Sequence, residues 1–274
     1  MKTVKKITSK GLTLTRRAVG YGLLGAVVTL VVLAIVALTR KSELADWHKV
    51  HLEEEFVEGD GVASFEEYLE LEDRLFAELD EKIYAKASES DENSILRYTP
   101  GSRLNPSQWE RNWNRTFVDE VADPQAAVLL LHGMSDSPYS MRYLAESFNK
   151  AGASVIGLRV PGHGTAPTGL VYTDWGDMVG AVRLAMQHLK TLAPGKPLYL
   201  AGYSNGGALS VMYALEAHED SALPQVDGLV LLSPEIGVSP AAVFAVWQGR
   251  MGRWFGFEKL AWNSVELEYD PFKY

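Results

Sequence analysis

Short apolar runs alternate with amphipathic segments between residues 116 and 235, and this alternation constrains the fold more than any other feature of the sequence. The apolar runs span 126–133, 154–162, 198–201 and 226–234, and helical patterns separate them at 140–151, 174–190 and 208–215. A continuous apolar run of this length is typical of a strand buried on both faces. The alternation therefore predicts an α/β fold whose sheet is mostly parallel and flanked by helices. The preceding residues, "TFVDEVADP", predict an edge strand.

A serine lies between the third apolar run and the helical pattern that follows it. Residues 202–206 are Gly-Tyr-Ser-Asn-Gly, which matches G-x-S-x-G at a strand-to-helix junction. In a nucleophile elbow the turn is so tight that the serine adopts a strained backbone, and the glycines let strand and helix approach. Ser204 is therefore a candidate nucleophile, although an ordinary glycine-rich turn fits the same pattern.

Two further motifs end the first two apolar runs. His132-Gly133-Met134 follows one, and Gly162-His163-Gly164 follows the other. Because parallel strands end at the same edge of a sheet, we expect both motifs to lie near Ser204, where such sheets carry their chemistry.

The segments "LLLHGMSDSPYSMRYLAESF", "GLRVPGHGTAP" and "LAGYSNGGALSVMYAL" together resemble the α/β-hydrolase superfamily, in its serine aminopeptidase and monoglyceride-lipase-like branch. The resemblance implies that Ser204 is the nucleophile. It also implies an oxyanion hole made by the backbone N–H groups of Met134 and Asn205. His163 would shape its loop rather than react. No cofactor and no metal is implied.

The sequence departs from this family after Ser204. The family order is nucleophile, acid, histidine, but only His218 follows, 14 residues along the same helical pattern and therefore about 21 Å away. No strand places Asp227, Glu235 or Asp270 as the acid. We therefore expect neither a triad acid nor a triad histidine in this chain, with the last strands of the sheet missing and residues 236–274 beginning a cap.

Three interpretations follow from this departure. The first is a membrane-anchored serine hydrolase that acts on lipid-like or monoacylglycerol-like carboxylic esters through an acyl-enzyme on Ser204, inactive as this truncated chain. The second is a non-catalytic, membrane-tethered binding or scaffold protein. In the third, His132 or His163 acts as an unconventional base, although both fit a loop-shaping role better.

The N-terminal region predicts a membrane anchor. Residues 18–39 carry no charge and, as a helix, would span about 33 Å, enough to cross a bilayer. The first 41 residues hold eight of the 26 basic residues and none of the 35 acidic ones. This bias places the N-terminus in the cytoplasm and the body on the periplasmic or extracytoplasmic side of a single-pass protein. A cleaved signal peptide is the alternative. The acidic body argues against nucleic acid as a partner.

The predicted organisation has five parts. They are a basic cytoplasmic tail (1–17), a transmembrane helix (18–39), a helical stalk or brace with a loop (40–115), a partial hydrolase core (116–235) and the start of a cap (236–274). In the stalk, Ser64 begins a helix whose apolar stripe contains Phe65, Tyr68, Leu69, Leu75, Phe76, Leu79 and Ile83. The sequence contains no cysteine, which excludes disulfides and thiolate chemistry. It indicates no oligomeric state.

Overall fold

A computed structural model describes residues 2–39, 45–87 and 96–237. The chain forms two compact units, 1–43 and 44–274. The predicted cap and Asp270 therefore fall outside the described residues, apart from the first two positions of the cap.

The first unit is the helix α1 (Lys2–Thr39). Within it, Arg16–Leu33 is long and apolar enough to cross a membrane, with a mean hydropathy of 1.5. The apolar side chains described in this window are exposed.

In the described residues of the second unit, five strands form a sheet in the order β1-β3-β2-β4-β5. The helices and strands of this unit are, in chain order, α2 (Phe65–Lys82), β1 (Phe117–Asp119), β2 (Ala126–Leu131), α3 (Arg142–Lys150), β3 (Ala153–Leu158), α4 (Gly169–Tyr172), α5 (Trp175–Leu192), β4 (Leu198–Tyr203), α6 (Asn205–Glu219) and β5 (Gly228–Leu232). Of these five strands, β1 is antiparallel to its neighbour β3 and lies at one edge. The other pairs are parallel. The predicted α/β fold, the mostly parallel sheet and the edge strand are confirmed.

The central strand β2 divides the core because its side chains alternate between the two faces of the sheet. Leu129 and Leu131 join a cluster with residues of α2, α5 and α6. Val128 and Leu130 point the other way and pack against α3. Helices therefore cover both faces, as the continuous apolar runs predicted. The strand β5 forms the far edge, and its residues Leu229–Leu232 are each at least 36% exposed in the structure.

Residues 45–87, which we call the brace, belong to the second unit and pack against its sheet and flanking helices. The side-chain oxygen of Ser64 accepts a hydrogen bond from the N–H of Glu67, which confirms the predicted start of α2. The structure buries Leu71 and Glu72 on this helix in addition to most of the predicted stripe. A buried carboxylate requires a charged partner, and its partner lies at the carboxyl edge of the sheet, described next.

Candidate active site

The strands β2, β3 and β4 end at one edge of the sheet, which we call the carboxyl edge. Ser204 follows β4 directly and has φ 51° and ψ −115°. This left-handed φ is strained for a residue with a side chain. Hydrogen bonds hold the turn: the N–H of Ser204 donates to the carbonyl of Leu232 at 2.9 Å, and the Ser204 carbonyl accepts from the N–H of Glu235 at 3.0 Å. A strained serine at a strand-to-helix turn is the backbone that a nucleophile elbow requires, and the role of Ser204 as nucleophile stays a prediction.

Two glycines allow this turn to close. A Cβ atom at Gly206 would overlap the carbonyl oxygen of Leu131 and lie 2.6 Å from that of His132. At Gly202 it would overlap the carbonyl of Gly206. The helix α6 thus approaches β4 at Gly202 and the end of β2 at Gly206 so closely that a side chain at either position has no space.

The predicted oxyanion donors flank the serine. Asn205 is the first residue of α6, so no earlier turn of the helix accepts its N–H. On the other side, a Cβ at Gly133 would lie 3.4 Å from the Cβ of Ser204, which brings the loop that contains Met134 next to the serine. Backbone N–H groups in such a position can stabilise a developing oxyanion. The assignment of Met134 and Asn205 to this role stays a prediction.

His132 is fully buried and uses both ring nitrogens to hold backbone. Its Nε2 accepts a hydrogen bond from the N–H of Val160 at 3.0 Å, so Nδ1 carries the proton and donates to the Gly133 carbonyl at 2.9 Å. Burial, with the neighbouring His163, holds the pKa of His132 well below its usual range. This arrangement favours the loop-shaping role over that of a base.

His163 lies against His132, with ring centroids 5.0 Å apart. Its Nδ1 donates to the Pro161 carbonyl at 2.9 Å, within the same tight loop. Burial lowers the pKa of His163 as well. Like His132, it is a neutral ring that fixes the backbone at the carboxyl edge.

We expect this histidine pair to make the protein acid-sensitive. Both pKa values are lowered in the folded state, so below about pH 6.5 the unfolded chain binds protons that the folded chain does not. Each histidine then lowers the free energy of unfolding by at most about 1.4 kcal/mol per pH unit. Urea unfolding of the full chain in detergent at pH 7 and pH 5 measures this loss.

The control for that experiment is His163→Asn, whose amide can still donate to the loop carbonyls but does not titrate. We expect its stability to fall less steeply between pH 7 and pH 5 than that of the unmodified chain. Parallel pH profiles for the two proteins would contradict the assignment of acid sensitivity to this pair.

The other candidates for a base lie elsewhere. His218 is in the last turn of α6, at the opposite end from Ser204, and His188 pairs with Glu66. Among the described residues, nothing hydrogen-bonds the hydroxyl of Ser204. Asp227 binds the N–H of Leu198 at the start of β4 and thus has a structural role at the other edge of the sheet.

Sequence reasoning missed three charged residues at this edge. Arg159 follows β3 directly, is fully buried, and forms ion pairs with Glu55 at 2.9 Å and Glu72 at 3.2 Å. The signal in the sequence was an arginine placed inside the apolar run "GLRVPG". In the described part of the chain, no group of His, Asp and Glu residues is arranged to hold a metal ion.

Comparisons with known proteins identify the family of this chain. The sequence model of the family described as serine aminopeptidase, S33, matches residues 122–266. A thermostable monoacylglycerol lipase from Bacillus sp. (strain H-257) is 32% identical over 127 residues, which are 46% of this chain and 48% of that protein. The chain thus spans about half the length of the curated relative that it matches.

Two solved structures are also similar. One belongs to a study of LipS and LipT, two metagenome-derived lipolytic enzymes. It is 30% identical to this chain, with a TM-score of 0.41 over 47% of this chain and 49% of that chain. The monoacylglycerol lipase of Paleococcus ferrophilus is 25% identical, with a TM-score of 0.39 over 51% of each chain. Since the family model covers more than half of its residues, the chain belongs to the serine aminopeptidase S33 family, within the α/β-hydrolases.

Proposed function

We propose that this chain carries the nucleophile and oxyanion hole of a membrane-anchored serine hydrolase that cleaves lipid-like carboxylic esters. The observation that carries the proposal is the strained backbone of Ser204 at the junction of β4 and α6. Strain of this kind persists only where the surrounding structure enforces it, and it concentrates at functional sites. The loop beside Gly133 supports the same role, because it brings a second backbone donor to the serine.

The proposed reaction is acyl transfer to water. The Ser204 oxygen attacks the ester carbonyl while its proton passes to a general base, and the negative oxygen of the tetrahedral intermediate is held by the N–H groups of Met134 and Asn205. The bond to the alcohol then breaks, and the alcohol leaves with the proton. Water attacks the acyl-enzyme in the same way, which releases the acid and restores the serine.

The substrate class rests on the relatives. The matched protein from Bacillus sp. is a monoacylglycerol lipase, and the similar structures include lipolytic enzymes. An anchor formed by residues 18–39, with the N-terminus cytoplasmic and the body outside, would keep the site close to lipid substrates. The helix α1 supports such an anchor by its length and composition.

This mechanism needs a general base, and no histidine of the described residues lies in hydrogen-bond contact with Ser204. All six histidines of the sequence lie in the described ranges, and none of them hydrogen-bonds Ser204 there. We therefore propose that the chain by itself is inactive. Loss of the histidine from a serine triad lowers kcat on the order of 10⁶-fold, so the purified chain should hydrolyse p-nitrophenyl butyrate no faster than its Ser204→Ala variant.

A fluorophosphonate probe tests the proposal directly. We expect the probe to label Ser204 in the protein enriched from its native membranes, where a base that the given sequence does not contain would complete the site. The Ser204→Ala variant expressed in the same membranes should stay unlabelled. Peptide mass spectrometry locates the modified residue, and the same sample gives the intact mass. Label on another residue would overturn the nucleophile assignment. If the protein is folded but the probe labels neither the purified chain nor the protein from native membranes, the result would favour the alternative, a membrane-tethered binding or scaffold protein.

A further inference from the structure

The loop that follows β3, residues 159–168, is bound by side chains of the second unit that precede the sheet in the sequence. Three of its backbone carbonyls accept hydrogen bonds from residues before the sheet begins. Tyr68 donates to the carbonyl of Arg159 at 2.7 Å, and Tyr98 donates to that of Thr165 at 2.9 Å. The guanidinium of Arg97 donates to the carbonyl of Gly164 at 3.2 Å. The backbone of this loop therefore depends on residues far away in the sequence.

Arg159 adds the charged part of this attachment. Its guanidinium donates to both carboxylate oxygens of Glu55, at 2.9 and 3.2 Å, and to Glu72 at 3.2 Å. The same guanidinium donates to the carbonyl of His163 at 3.1 Å. Arg159 is fully buried, and the side chains of Glu55 and Glu72 are 9% and 2% exposed. A buried, forked arrangement of this kind fixes position as well as charge.

Two hydrogen bonds and the backbone between them connect this attachment to the residue that lies beside the serine. The residue after Arg159, Val160, donates its N–H to Nε2 of His132. His132 in turn donates from Nδ1 to the carbonyl of Gly133, the residue whose backbone lies against Ser204. The peptide plane between Gly133 and Met134 contains both that carbonyl and the N–H assigned to the oxyanion hole. Any rotation of this plane moves the donor.

We infer that the brace is a positioning element for the oxyanion hole, with Glu55 and Glu72 as positioning residues that act through Arg159 and His132 on the peptide plane of Gly133 and Met134. The inference rests on the proposed function for its catalytic meaning. It also goes beyond the family resemblance, because the brace lies before the residues 122–266 that the family model matches. The segment between α1 and the sheet is thus part of the site.

Hydrogen–deuterium exchange of the full chain in detergent tests this inference. We expect Glu55→Gln to raise the exchange rate of peptides covering 131–136 and 159–165 by about tenfold or more, since hydrogen bonds to a charged group are lost. Peptides of β4 should keep their protection, because the strand lies outside this series of contacts. A purely structural brace would instead raise exchange across the whole unit, β4 included.

The matched control is Glu54→Gln, which removes the neighbouring carboxylate, bound at the surface to Arg74 at 2.9 Å. It should leave all three peptides unchanged. A second variant, Tyr68→Phe, deletes a single donor to the loop and covers the case in which Glu55→Gln fails to fold; it should affect the same two peptides.

Increased exchange confined to the brace, with 131–136 unchanged, would overturn the inference. Exchange reports on the backbone whether or not Ser204 reacts. A labelling experiment that fails while 131–136 responds to Glu55→Gln would therefore count against the proposed reaction, not against the positioning role.

Discussion

Replacing Glu72 by alanine is expected to lower the free energy of unfolding by about 3–5 kcal/mol, the cost of removing one partner from a buried ion pair. Arg159, which is 0% exposed, would keep its charge and retain only Glu55 as a charged partner. The change also removes the acceptor for the N–H and the hydroxyl of Thr116, each at 2.8 Å. Urea unfolding of the full chain in detergent, followed by tryptophan fluorescence, measures the loss.

Asp73→Ala is the control for Glu72→Ala. Asp73 is the next residue of α2 and pairs with Arg115, but its side chain is 72% exposed. Exposed pairs of this kind contribute at most about 1 kcal/mol. Equal losses for the two variants would contradict the buried network. A triple change, Glu55→Met, Glu72→Met and Arg159→Met, should recover part of the loss, because it replaces all three charges of the network and apolar residues of similar volume often replace a buried ion pair or triad at little cost.

Gly206→Ala is expected to prevent the elbow from closing, at a cost of about 3 kcal/mol or more, because overpacking against rigid backbone cannot be relieved by a rotamer change. The new methyl group would overlap the carbonyl of Leu131. The strand β2 would have to move away from α6, and with it the loop that carries Met134. We expect both a lower urea midpoint and loss of phosphonate labelling at Ser204 in the protein from native membranes.

Gly180→Ala is the matched control for Gly206→Ala. It too is a glycine within a helix, but its Cβ would meet only the flexible side chain of Glu58, at 3.1 Å. Alanine is about 1 kcal/mol better than glycine inside a helix, so its stability should change by no more than that. If Gly206→Ala unfolds at the same urea concentration as Gly180→Ala, the close approach of β2 and α6 is wrong.

The sheet and the tight turn at Ser204 were predictable from the sequence because their signals are local. An apolar run such as 126–133 predicts a strand, and a motif such as Gly-Tyr-Ser-Asn-Gly predicts a tight turn, each from a few consecutive residues. The alternation of runs then fixed which ends share an edge, so that the motifs around His132 and His163 were expected near Ser204. The structure places both at the carboxyl edge.

The attachment of the brace could not be predicted in the same way. Glu72 lies next to the apolar stripe of α2, where a carboxylate is normally solvated. Its hydrogen-bond partners, Thr116 and Arg159, are 44 and 87 residues away in the sequence. Helical periodicity predicts which face of a helix is buried, but it does not predict which distant residues that face contacts. The role of Glu55, in a segment without regular structure, depends on the same long-range pairing.

The distance along the chain between these partners has a consequence for the order of folding. Glu55 and Glu72 precede Arg159 by 104 and 87 residues. A chain made from its N-terminus exposes α1 and the brace well before β3 and its loop exist. Until Arg159 emerges, neither carboxylate can form its buried ion pair with this guanidinium. The attachment of the brace to the carboxyl edge is therefore completed only after β3 and its loop have been made, so this part of the fold closes late although half of it is made early.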